Sequence, residues 1–321
     1  MCKPNYYLHR IQLSEMIIMK TQEHVLPTKR AYTEVLTQTI KTGIIKSNLI
    51  PMVAGLTLAL YTFNLNLIEN LPNIILAVLG SALVIGAAGA FNNLYDRDID
   101  ILMERTKNRP TVTGDIQPIT VLWMAISMAL VGLLLLALTT PMAALFGLLG
   151  LFFYVVPYTM WSKRRTIYNT EIGSISGAMP VLIGWTAVHS SIDHPAIISL
   201  FVISMIWQMP HFYAIAIRKH DDYKAANVPM LPVVKGFKRT VMQTNVYLVV
   251  LALASLLLMP VSITLMTIGL VLSAGWLVLS IYGRRKMEQR QWANTMFFYS
   301  LLHMTLLFSA VIVFSLLGII F

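Results

Sequence analysis

A single cysteine, Cys2, in 321 residues excludes a disulfide framework, a pair of thiolate zinc ligands and a Cys-x-x-Cys-His haem attachment. Charge is also scarce: Asp, Glu, Lys and Arg make up 12% of the chain, against roughly 25% in ordinary soluble proteins. Acids are the scarcer sign, 14 against 24 Lys and Arg, for a net charge of +10. The first 35 residues are polar and lack the apolar core of a signal peptide. Met16 and Met19 are alternative starts to Met1, a choice the sequence leaves open.

What is abundant is apolar surface. Hydrophobic residues reach 57% and the mean hydropathy is +0.70, more than a soluble chain of this length could bury. Residues 116–162 and 240–283 hold no charge at all. Each run is long enough for two spans of about 20 residues, and each is broken near its middle, by Thr139-Thr140-Pro141 and by Met259-Pro260. The pattern predicts an all-α, polytopic membrane protein with nine spans at roughly 43–64, 71–92, 117–138, 141–160, 169–190, 195–217, 240–259, 261–282 and 292–320. A polar segment, 1–40, precedes an intramembrane domain, 41–321.

Connections after the odd-numbered spans carry Glu69 and Asp193 and no Lys or Arg. The cations gather in the N-terminal segment, at the first turn of span 1 and in the connections after even-numbered spans. The positive-inside rule puts that side, and the N-terminus, in the cytoplasm, and Phe321 outside an inner membrane. The basic pI near 9.7 is therefore a topology signal, and nucleic acid is not an expected partner, since no basic stripe lies on a soluble domain.

Two cytoplasmic loops carry the informative polar residues. In the first, Asn92, Asp96 and Asp100 stand four apart, about 40° off a full helical turn, so a continuing helix projects all three from one face. Stacked oxygen side chains repel unless a cation sits among them, and oxygen ligands suit Mg²⁺, which bridges carboxylates to phosphates. Arg105 and Arg109 follow at the same spacing and can fork phosphate oxygens. The competing reading is a solvated loop whose acids and bases simply pair. In the second loop, Trp207-Gln208-Met209-Pro210-His211 ends span 6, and Lys219, Asp221, Asp222 and Tyr223 follow. Pro210 is expected to kink or open the helix beside His211. His211 is a candidate haem ligand or proton carrier, or a histidine bonded to a carbonyl freed by the proline. Asp222 is the candidate second carboxylate, with Asp221 its competitor. A third turn, Trp161 to Thr166, offers Lys163 and Arg164 to a diphosphate or a propionate, or marks topology alone. His24 and His220 are expected in solvent and His303 in the packing.

At these residues the chain resembles the UbiA superfamily of intramembrane prenyltransferases, and within it the haem O synthase branch. The likeness runs from about Lys41 to the C-terminus. It rests on Asn92 through Asp100, Met103 through Arg109, Trp207 through His211, Asp222-Tyr223 with Pro229 through Pro232, and Tyr168 through Pro180. It implies nine helices around a central cavity, with Mg²⁺-bound farnesyl diphosphate at the cytoplasmic mouth and haem B as acceptor. Asn92, Asp96, Asp100 and Asp222 match its metal positions. Arg105, Arg109 and His211 match polar positions of the haem branch, and Lys41 and Asn48 match positions at the start of the first helix. Thr42 stands where that family often has proline. Quinone-type members carry a second Asp-x-x-x-Asp, whereas Ala225 and Ala226 stand here, which favours haem over a quinone precursor or chlorin ring. A product haem O points to haem A synthase or terminal-oxidase assembly as downstream partners. A solute carrier is disfavoured because no internal repeat is evident and the polar cluster lies at one face.

Overall fold

The computed structural model describes residues 30–321; Cys2, Met16, Met19, His24 and most of the polar leader lie outside the described residues. Every regular element among the described residues is helical. After a short helix α1, Tyr32–Thr39, nine long helices follow: α2 Thr42–Thr62, α3 Leu71–Tyr95, α4 Pro118–Thr139, α5 Pro141–Phe153, α6 Asn169–Thr186, α7 Pro195–Arg218, α8 Leu231–Ser255, α9 Ile263–Lys286 and α10 Gln289–Ile320. Consecutive long helices pack side by side and α10 closes back onto α2, giving a ring in which α2, α6 and α7 also meet across the middle.

The expected spans are recovered, with one qualification. Among the described residues, eight helices are long and apolar enough to cross a membrane. The remaining one, α6, is 18 residues long and less apolar, and residues 178–186 are all buried. It is an inner helix, lined by protein rather than lipid, so it needs less apolar surface. Gly55 of α2 and Gly184 of α6 permit the close approach: a Cβ at either would run into the partner's backbone carbonyl, that of Val181 or Met52. By contrast, Trp123, Leu130, Leu134 and Leu138 of α4 are all more than half exposed, an apolar outer face suited to lipid.

Three local features position the site. Proline opens α4, α5 and α7 at their first turns, where its missing N–H costs nothing. Pro210 lies inside α7, which runs uninterrupted from Pro195 to Arg218, so the helix does not open there. The end of α5 instead widens into a π-helical turn, Tyr154–Ser162, around Pro157. Gly236, at φ 75°, separates the first residues of α8 from its long apolar part, close to the expected start at 240.

Candidate active site

The acidic row forms where α3 ends. Asp96 caps the helix at φ −85° and ψ 6°, and a single helical turn, Arg97–Asp100, carries on at a tilt. The four-residue hydrogen bonds persist across that tilt, from Asp96 N to Asn92 O at 2.9 Å and from Asp100 N to Asp96 O at 2.8 Å. Asn92, Asp96 and Asp100 therefore do line up, and all three are buried.

Each is gripped by a cation or an amide from elsewhere in the chain. Lys163 pairs with Asp96 and Lys41 donates to Asn92 Oδ1. Arg109 Nη1 lies 2.5 Å from Asp100 Oδ2. Asn92 Nδ2 donates to Asp96 Oδ2 at 2.8 Å and to Thr159 Oγ1 at 2.9 Å. Arg164 forks the carboxylate of Asp98 with two 2.7 Å bonds and comes to 3.5 Å of Asp96. That fork holds Asp98 below the usual carboxylate range. Lys41 is held well below an ordinary lysine by burial, with the charges of Arg109 and Lys163 adding to the effect.

The π-helical turn explains how one short segment serves this row. In an α-helix, residues nine apart face opposite ways; with about 4.4 residues per turn in a π-helix they share a face. Tyr154 and Lys163, nine apart, accordingly both lie beside Asp96, and Thr159, four residues before Lys163, bonds Asn92.

The second loop meets the first. Asp222 Oδ1 accepts the Glu104 N–H at 2.9 Å, and Ile99 and Met103 pack with Ala216, Ala226, Val228 and Met230. Asp221 points to solvent with His220 at 3.0 Å, so Asp222 is the carboxylate of the pair that is tied to the first loop. Tyr223 lies near Arg105 and Arg109, its phenol pushed up by burial.

Not every predicted residue joins this cluster. Asn48 turns back on its own helix, donating to the Ile44 carbonyl at 2.8 Å, and no side-chain hydrogen bond among the described residues ties Lys219 to the row. His211 lies between α7 and α10. It is stacked on Trp207 at 4.7 Å and Phe297 at 5.3 Å, and its Nδ1 is 2.7 Å from Ser300 Oγ. The alternative bond to a carbonyl freed by Pro210 is not made; the ring nitrogen meets the Ser300 hydroxyl instead. Ser300 Oγ donates its own proton to the Phe297 carbonyl at 2.5 Å, so the network assigns the ring proton to Nδ1 and a lone pair to Nε2. His303 is buried against Ser273 at 2.9 Å, as packing predicts.

Sequence reasoning passed over Asn93, Thr159, Tyr154, Tyr158 and Arg30. Asn93 Nδ2 donates to the carbonyls of Gln38 and Thr39 at 3.2 and 2.9 Å, and a Cβ on Gly89 would sit 2.9 Å from the Ile40 carbonyl. Together they dock the α1–α2 corner, where Lys41 takes a left-handed φ of 56° and turns to Asn92. The tandem Asn92-Asn93 was the available signal.

The donors fit a hard divalent cation. Asp100 Oδ1 is buried with no partner among the described residues, beside a second buried carboxylate and an amide oxygen. No three carboxylate or imidazole groups converge there as a self-sufficient cage among the described residues, so phosphate and water oxygens would complete the shell.

A family model described as the UbiA prenyltransferase family matches residues 48–302. Protoheme IX farnesyltransferase 1 of Bacillus cytotoxicus is 65% identical over 303 residues, covering 94% of this chain and 99% of that protein. Protoheme IX farnesyltransferase of Shouchella clausii is 63% identical, covering 90% and 93%. Among solved structures, digeranylgeranylglyceryl phosphate synthase superposes with a TM-score of 0.70 at 16% identity, over 88% of this chain and 98% of that one. A UbiA homologue from Archaeoglobus fulgidus bound to GPP and Mg²⁺ gives 0.65 at 16% identity, over 87% and 99%.

Proposed function

The chain belongs to the UbiA prenyltransferase family, and from that premise we propose that it transfers a farnesyl group from farnesyl diphosphate to a vinyl group of haem B, giving haem O and diphosphate. It is a multi-pass membrane protein, and residues 41–321 are its intramembrane catalytic domain. The observation that carries the reading is the buried row Asn92, Asp96 and Asp100, ringed by Lys41, Lys163 and Arg109 and faced by Asp222. The cation-rich loops support a cytoplasmic location for this mouth, in the inner membrane.

Asn92, Asp96, Asp100 and Asp222 would hold Mg²⁺, which would supply positive charge to neutralise the departing diphosphate. Lys163 and Arg109 neutralise the acids of the unliganded row and are next to any phosphate docked against it. With Arg164 and Lys41 they stabilise the charge that builds as the allylic C–O bond breaks. The vinyl group attacks the farnesyl carbon, water captures the resulting cation and loses a proton, and a hydroxyethylfarnesyl side chain remains. The ring of apolar helices orients the tail and keeps water out until that step. His211 presents Nε2 as a lone pair, for the haem iron or for the proton that water releases. Asn48, Lys219 and Tyr223 serve as outer polar contacts of the bound substrates. Haem O then passes to haem A synthase or to terminal-oxidase assembly.

The test is incubation of purified protein with haem B, farnesyl diphosphate and Mg²⁺, followed by mass analysis of the haem. The expected result is a gain of one farnesyl group and one hydroxyl group. An unmodified haem from folded protein overturns the assignment.

A further inference from the structure

A second cationic feature lies beside the acidic row. A pocket of about 330 Å³ is lined by Arg30, Gln38, Lys41, Arg105, Asn108 and Arg109. Four of the six are cations and none is an acid. Lys41 and Arg109 form the wall shared with the row, through Asn92 and Asp100. Arg30 comes from the segment before α1, donates to the Asn108 carbonyl at 2.6 Å and reaches Asp115 at 3.2 Å. Arg105 has no ion-pair partner among the described residues.

On the opposite flank Lys163 and Arg164 already serve the row. Arg30 already faces Asp115 and Arg109 faces Asp100, so Arg105 is the pocket arginine without an acid among the described residues, and the other cations of the lining stand around it to receive a second anion. With no carboxylate in the lining to share a divalent ion, that anion is bound by direct ion pairs, and guanidinium forks match carboxylates. We propose that this pocket receives the two propionates of haem B. The proposal rests on haem being the acceptor. Haem is amphipathic: propionates held at the polar mouth direct its vinyl-bearing apolar periphery into the bundle. The shared wall of Lys41 and Arg109 then sets the acceptor beside the diphosphate.

The experiment uses initial-rate kinetics on the full-length purified protein with haem B, haem B dimethyl ester and farnesyl diphosphate. Arg30→Gln is expected to raise KM for haem B about tenfold, the loss of one charge-assisted contact. KM for farnesyl diphosphate stays at the wild-type value. The ester, with its propionates capped, binds weakly to wild type and no more weakly to the variant, and Arg30→Lys recovers part of the loss. A rise in KM for farnesyl diphosphate instead shows that the pocket holds diphosphate and overturns the proposal. Equal losses on haem B and ester show that Arg30 merely braces the chain and overturn it too. Should Arg30→Gln fail to fold, Gln38→Glu puts an acid in the pocket and is expected to weaken haem B but not the ester; equal effects again overturn it. Wild type with no turnover on haem B overturns the function itself, a result distinct from all of these.

Discussion

Asp96 and Lys163, 67 positions apart, form an ion pair in which the carboxylate is fully buried and the lysine side chain is only 11% exposed. Breaking a pair of this kind from one side strands a buried charge and costs roughly 3–5 kcal/mol. Asp96→Asn is therefore expected to abolish farnesyl transfer and also to lower Tm in detergent. Asp96→Asn with Lys163→Met should recover much of the Tm and none of the turnover. Wild-type turnover in either variant removes Asp96 from the chemistry.

The neighbouring pair, Asp98 with Arg164, has the better fork geometry and a smaller expected effect. Asp98 is 62% exposed, so solvent screens the pair to less than about 1 kcal/mol. Its folded pKa is below the unfolded one, so its contribution is complete above about pH 4 and is lost as pH falls through the depressed value. Asp98→Asn should leave Tm at pH 7 within a few degrees of wild type. A loss as large as that of Asp96→Asn would reverse this ranking.

Asp221 and Asp222 are adjacent in sequence and differ in their contacts: Asp222 Oδ1 accepts the Glu104 N–H, while Asp221 lies in solvent beside His220. Asp222→Asn is expected to raise the Mg²⁺ concentration needed for half-maximal turnover by at least about tenfold, whereas Asp221→Asn behaves as wild type. Titration of activity with Mg²⁺ decides between them. The reverse pattern would transfer the assignment to Asp221.

His211 is fixed by Ser300, whose hydroxyl is committed to the Phe297 carbonyl. His211→Ala should cut turnover by about 10² or more if the imidazole moves a proton. A shifted Soret band of bound haem in the same variant marks an iron ligand instead. Unchanged turnover together with an unchanged spectrum excludes both roles.

The long spans were legible because charge-free runs and short breaks are local signals, and the helices start and stop within a few residues of them. The inner position of α6 was not, since its lower apolarity reads as weakness until Gly55 and Gly184 are seen packed against facing backbone. The row Asn92, Asp96 and Asp100 was legible from helical spacing. Lys41 and Lys163 were legible as site residues, but their pairing with the row was not, nor was Thr159, because these partners come from 51 to 67 positions away. The π-helical turn defeats spacing rules outright: α-helical arithmetic places Tyr154 and Lys163 on opposite faces.

Asn93 carries the remaining prediction. Its side chain is fully buried and makes no bond to the row, yet it holds the carbonyls of Gln38 and Thr39, and with them the left-handed turn at Lys41. Truncation to Ala removes two buried hydrogen bonds, a cost of about 1–3 kcal/mol, and frees the corner that aims Lys41 at Asn92. The effect on chemistry should be selective. KM for farnesyl diphosphate should rise about tenfold as Lys41 loses its aim, while Mg²⁺ dependence, set by the acids, stays unchanged. Asn93→Asp places a carboxylate against two carbonyls and should be worse than Ala, because the donor is lost and the charge repels both acceptors. Equal falls in all kinetic constants, tracking Tm alone, would reduce Asn93 to a packing residue.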